Sequence, residues 1–293
     1  MQPVYILIPA MLVSLLLLKV HQHFNVPILA IANRWLRWLV IAGSLAMLCQ
    51  HFGWDDGRPY WALFVVFLLT WLLLDGVYRW LAIHAMSVSP LPLFPRFTEN
   101  RAGDEWPVQR RFLTLRDQLR AAGFKQVQAL RGEVAPGIYI RASIYQDARQ
   151  STRLQVSFLP QPGASVLACL HFSTVLASGE RLVTDNHHLP FAGFYPETWS
   201  VERRPRTRSF KTLYARHCAR VTASGGAVVP WTTVPMDDLN AQQTELERLN
   251  TDLGFLLPPT MHEEHGRISH EGRYRVWKEM LTLDYLGRAA RYE

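Results

Sequence analysis

Apolar and polar positions alternate differently in the two parts of this chain. Up to residue 86 the apolar residues come in three blocks separated by short polar turns; beyond residue 107 they recur at helix and strand spacings among charged residues. The longest block, Trp61 to Trp80, reads WALFVVFLLTWLLLDGVYRW, and its only charges, Asp75 and Arg79, lie near its end. Nearly twenty residues at ~1.5 Å each reach across a ~30 Å hydrocarbon core. The second block runs from about Trp35 to Phe52, with Arg34, Trp35, Arg37 and Trp38 at one end and Trp54 beyond the other, the pattern of an interfacial aromatic belt. The short apolar piece before it, Val26 to Asn33, reads as an approach helix at the interface. The first block, Pro3 to Leu18, stops at Lys19. No Lys or Arg precedes residue 19 and the flank HQHFNVP has no A-x-A pattern, so a retained helix fits better than a cleaved signal. Three spans are expected, at about residues 3–19, 35–53 and 61–80, making residues 1–86 a transmembrane anchor. Asp75 is expected to pair with Arg79 one helical turn away.

Residues 87–107 hold Pro90, Pro92, Pro95 and Pro107, which favour an extended linker over a helix. Residues 108–293 read as one soluble α+β domain. Phe112, Leu115 and Leu119 recur at helical spacing within 108–122, which Gly123 ends. Strand-like alternation follows at 127–130, 138–145, 153–159, 166–176 and 181–184, an antiparallel sheet of four to five strands. Residues 185–208 read as a long loop. Three C-terminal helices are then expected: 209–222 capped by Ser209, 237–255 with Asp237 and Asp238 at its positive end, and about 270–291.

Charge separates the same two parts. Residues 1–86 hold five basic residues (Lys19, Arg34, Arg37, Arg58, Arg79) and three acidic ones (Asp55, Asp56, Asp75), while the remainder of the 31 Lys and Arg and 24 Asp and Glu lie beyond. The basic residues of the first inter-span loop and of the C-terminal part put both on the cytoplasmic side, with the N-terminus and the Asp55–Arg58 turn outside an inner (plasma) membrane. The three cysteines, Cys49, Cys169 and Cys218, have no disulfide spacing.

Three stretches carry candidate chemistry. MHEEHGRISHEGRY, at 261–274, offers His262, His265 and His270 as metal ligands beside Glu263, Glu264 and Glu271; the spacing is not that of H-E-x-x-H, and a solvated connector explains it as well. Asp185-Asn186-His187-His188 closes a strand, where a base or ligand is at home, although turn chemistry accounts for Asp-Asn. Arg203, Arg204, Arg206, Arg208 and Lys211, continued by Arg216 and Arg220, form a run without acids between 203 and 220 that suits a membrane surface and anionic headgroups better than nucleic acid, although a solvated arginine-rich loop explains it as well. His171 and His217 read as core histidines. No P-loop, dinucleotide fingerprint, nucleophile elbow or CxxC pair occurs, and no catalytic residue or cofactor is assigned. The expectation is a bilayer-anchored binding or scaffolding module, an accessory subunit with a protein partner in a membrane complex. The alternative is a metal-dependent hydrolase using the cluster at 262–271.

Overall fold

A computed structural model describes residues 4–24, 26–103, 106–135, 137–161 and 165–289. Pro3, Asn25, Asp104, Glu105 and residues 290–291, which the sequence reading placed in a span, its flank, the linker and the last helix, lie outside them. The described residues form an α+β fold of eight helices and one mixed open sheet, and they divide into two units, residues 1–85 with 273–293 and residues 86–272.

The first unit holds α1 (Val4–Phe24), α2 (Pro27–His51) and α3 (Tyr60–Val88). Two of these, α2 and α3, are long and apolar enough to cross a membrane, whereas the apolar part of α1, Tyr5–Val20, is shorter. Two of the three expected spans therefore have the length and composition of a membrane helix. The approach helix and second block are one continuous helix because Pro27 stands at its first turn, where no backbone donor is lost. α3 turns its large apolar side chains outward along its length, Leu69 at 58% and Leu73 at 66% exposure, a surface that suits lipid rather than water. Small residues bring the helices together. Ala42 and Ala46 are fully buried, and a Cβ on Gly43 would lie 2.8 Å from Leu7 of α1 and 3.1 Å from the Tyr60 hydroxyl of α3. The Ser14 hydroxyl donates to Asn33 Oδ1 at 2.7 Å between α1 and α2.

The last helix, α8 (His270–Leu281), and the π turn after it (Thr282–Leu286) pack in this first unit from Arg273 onward, not in the domain where the sequence reading put them. The Trp277 indole donates to the Gly76 carbonyl (3.1 Å), and the Trp35 indole to the Tyr285 carbonyl (3.1 Å). Asp284 accepts from Arg79 at 2.5 Å and from Arg34. Arg79 also binds Asp75 at 2.6 Å, the expected i,i+4 pair, and the Tyr285 hydroxyl donates to Asp75 at 3.1 Å. Tyr285 packs edge-on against Trp35 and Trp38.

The second unit is built on strands β1 (Phe97–Glu99), β2 (Lys125–Ala135), β3 (Ile138–Gln146), β4 (Arg153–Gln161), β5 (Ser165–Leu176), β6 (Arg181–Asp185), β7 (Trp199–Arg203) and β8 (Val228–Val229). β1 to β7 lie in chain order, antiparallel except for a parallel β6–β7 pair, and β8 pairs with the end of β5. Alternation along the strands splits the sheet into two faces. On one, Leu154, Val156 and Phe158 meet Leu170, Phe172 and Tyr145 under α4 (Arg110–Ala121) and α5 (Phe210–Ser224), through Phe112, Leu119, Phe210 and Leu213. His217 of α5 is fully buried here, its two ring nitrogens 3.0 Å from the hydroxyls of Thr174 and Thr184. Ser209 caps α5 as expected, and Gly225 ends it at a positive φ of 63°.

The other face is covered by α6 (Pro235–Asp252), with Leu239 and Met236 on Phe97, Leu130, Ala142 and Ile144. Two asparagines of α6 clasp passing backbone. Asn240 binds the N–H and carbonyl of Phe97 (2.7 and 2.9 Å), and Asn250 those of Phe194 (2.7 and 3.0 Å). The Pro-rich linker docks on this unit: Phe94 is buried edge-on to Phe191, and Arg267 donates to the carbonyls of Pro90 and Leu91. The short α7 (His262–His265) precedes α8.

Candidate functional site

The α6 face is not apolar throughout. Where β4, β5, β6 and β7 lie side by side, the alternation that points Leu154, Val156, Leu170 and Phe172 at α5 sends Arg153, Gln155, His171, Ser173, Arg181, Asp185 and Arg203 the other way. Arg153, Ser173 and Asp185 are buried there, and Gln155, His171, Arg181 and Arg203 are partly buried, without being part of an apolar core.

Two ionic groupings occupy the face. In the first, Asp238 of α6 accepts from Arg153 at 2.9 Å and from Arg181 at 2.8 Å, and Gln242 donates to it at 2.9 Å. Arg153 also donates to the Thr233 carbonyl at 2.8 Å, and its guanidinium lies 4.2 Å over the Trp231 ring. The Arg181 guanidinium lies 5.1 Å from both Trp231 and Trp199. Burial pulls Arg153 below the ordinary guanidinium range against the opposing charge of Asp238. Asp238 stands in the first turn of α6 as expected and is also the shared acceptor of two arginines.

In the second grouping, Asp185 accepts the His187 N–H at 2.9 Å and lies 3.6 Å from Arg203, while Arg203 donates to the carbonyls of His187 (3.1 Å) and Leu189 (2.6 Å). His171 is the cross-strand neighbour of Asp185, and its ring stands edge-on to that of His187 at 6.1 Å. Burial holds His171 down to about 4 and His187 to about 3, so both imidazoles are neutral at pH 7; burial also raises the Asp185 carboxyl. Two strand positions away from His171, burial pushes the Cys169 thiol up to about 12, which makes it inert as a nucleophile.

Of the residues singled out in sequence, Asp185 and His187 thus lie together with His171, which the sequence reading treated as core. The metal candidates are not gathered. Among the described residues no group of three or more His, Cys, Asp or Glu is placed to hold a metal ion; His262 Nε2 is 2.7 Å from the Leu257 carbonyl, and His265 pairs loosely with Glu264 at 3.7 Å. The basic run is largely spent on the fold. Arg203 is turned inward, Arg204 and Arg216 hold Glu202 at 2.5 and 2.8 Å, and Arg220 donates to the carbonyls of Val183 and Ser200. Burial would raise the Glu202 carboxyl, but Arg216 and Arg204 hold it at about 2. Arg206 and Lys211 are exposed, and Arg208 is half-buried near Cys169 with its Nε and one terminal nitrogen unpartnered.

The sequence offers Asp238 only as a helix-start acid and does not point to Arg153, Arg181 or Trp231 as site residues. Their signal was the run Arg153, Gln155, Ser157 on a strand with partners on both sides, a polar face that cannot all be solvent. On the opposite face of the sheet, α4 and α5 leave an open groove of about 610 Å³ lined by Asp117, Gln118, Ala121, Lys211, Tyr214 and Cys218 among others. Comparison with protein-family models, with curated proteins and with solved structures found no match.

Proposed function

We propose that this chain is a multi-pass protein of an inner (plasma) membrane whose residues 86–272 form a cytoplasmic binding or scaffolding module, an accessory subunit of a membrane complex. The observation that carries the reading is that both ends of this unit run into the apolar helical one: through α3 on one side, and through α8, fixed by Asp284, Tyr285 and Trp277, on the other. A domain joined to the apolar helical unit at both of its ends suits a module that works at a membrane complex. The groove between α4 and α5 is the surface such a partner would use. The basic residues of the first loop and of the domain support the assigned orientation, and α1 is read as a third, shorter membrane helix.

The test is purification from the source membrane in a mild detergent, with mass spectrometry of co-purifying proteins and elemental analysis of the same sample. A stoichiometric membrane-protein partner supports the reading. A lone chain carrying about one zinc per molecule overturns it in favour of a metal-dependent hydrolase and makes His262, His265 and His270 the first residues to replace.

A further inference from the structure

We propose that the small cavity between β4, β5 and the first turns of α6 is a binding site for a single chloride-sized anion. The cavity measures about 20 Å³ and is lined by Arg153, Gln155, His171, Ser173, Asp238 and Gln242, with Ile144, Pro235 and Leu239 closing it. That volume holds one water-sized body, so phosphate, sulfate and carboxylate ligands are too large.

The donor set decides between water and an anion. Arg153 and Ser173 are each only 5% exposed, and Arg153 Nε and Ser173 Oγ have no partner. Arg181 NH1 and Trp231 Nε1, beside the same guanidinium groups, have none either. All four atoms carry a hydrogen to donate. Arg153 Nε and Ser173 Oγ are the two that belong to the lining, and a halide accepts from both without bringing hydrogens that need acceptors of their own, although it must do so beside the Asp238 carboxylate. Buried donors left unpaired are costly, which favours an acceptor-only occupant.

Charge points the same way. Arg153 and Arg181 share the single carboxylate of Asp238, leaving one positive charge in a buried place. Both oxygens of Asp238 are turned to donors: Oδ2 to Arg153 and Gln242, Oδ1 to Arg181. Pro235, Asp238, Leu239 and Gln242 of the lining belong to the N-terminal part of α6, whose dipole is positive there. The Met236 N–H is already given to Gln128, so α6 acts through its field and the side chains supply the hydrogen bonds.

The test uses the full chain in detergent. At constant ionic strength, gluconate, which cannot enter so small a cavity, is replaced by chloride from about 1 mM to about 100 mM while unfolding of residues 86–272 is followed. The melting temperature is expected to rise by roughly 3 °C, with bromide acting like chloride and with the rise lost in Ser173→Ala. Equal melting in gluconate and chloride overturns the proposal. So does an unchanged chloride response in Ser173→Ala, and the wild-type halide series decides the matter if that variant fails to fold.

Discussion

Arginine is buried in both units of this protein, and the two settings are balanced differently. In the helical unit Arg34 and Arg79 face Asp75 and Asp284, two charges against two, with the Tyr285 hydroxyl donating to Asp75. On the α6 face of the sheet Arg153, Arg181 and Arg203 face Asp185 and Asp238, with both nearby histidines neutral and several guanidinium and indole N–H groups unpaired. The first network is balanced in charge, although Arg34 keeps one terminal nitrogen without a hydrogen bond, and it ties the C-terminal segment to α2 and α3. The second carries one positive charge in excess beside its unpaired donors. A balanced network holds structure together, whereas an unbalanced one leaves a place for a further charged ligand.

Acid should break the comparison most strongly. The sheet unit buries His171, His187 and His217, all held well below the ordinary histidine value by burial, to about 4, 3 and 3. Each takes up a proton on unfolding near pH 6.5 but not in the folded state. Their stabilisation is therefore complete above that pH and is lost as pH falls toward 4, at about 1 kcal/mol per histidine per pH unit. Chemical denaturation at pH 7 and pH 5 should show a loss of several kcal/mol in residues 86–272. The helical network holds no histidine, and protease resistance of residues 273–289 should persist over the same range. Next in size, Asp238→Asn leaves Arg153 and Arg181 without a carboxylate and should cost about 3–5 kcal/mol, read by the same denaturation; a loss under about 1 kcal/mol would mean that Asp238 does not tie α6 to the sheet. Arg79→Met strips Asp75 and Asp284 of their common partner. Because Asp284 is partly exposed, the cost should be smaller, about 2 kcal/mol, and new cleavage C-terminal to Arg273 should report it. The smallest effect belongs to Arg216→Ala, which removes a surface partner from Glu202 and should leave the melting temperature unchanged within error.

Much of the architecture was legible because periodicity carries it. The long strands β3 to β6, the helices α4 to α6 and the Ser209 cap follow from apolar spacing and capping chemistry that survive folding unchanged. β1 and β8 were not seen because three and two residues have no measurable period. β7 lay inside an apparent loop, although Trp199, Val201 and Arg203 alternate with Ser200 and Glu202; a parallel strand reached through irregular chain gives no hairpin turn to announce it. The destination of α8 was invisible for another reason. Its partners Gly76, Arg79 and Trp35 are some 200 residues away in sequence, and nothing in the helix itself names them. The same holds for the site. Asp185 and His187 stood out as a strand-end pair, but Asp238 looked like an ordinary helix-start acid, and only the pairing of β4 with β5 and of β5 with β6 brings Arg153 and Arg181 to it. The basic run at 203–220 misled because charge along the chain does not reveal which side of a strand or helix each arginine takes.

The unbalanced sheet-face network and the charge-balanced helical one are separated most directly by diffraction from crystals of the full chain grown in bromide. The charge count and the orphaned donors predict an anomalous peak within hydrogen-bonding reach of Arg153 Nε and Ser173 Oγ, and none beside Arg34 or Arg79. A cavity holding only water, or bromide settling at the helical network instead, would contradict the division of the two.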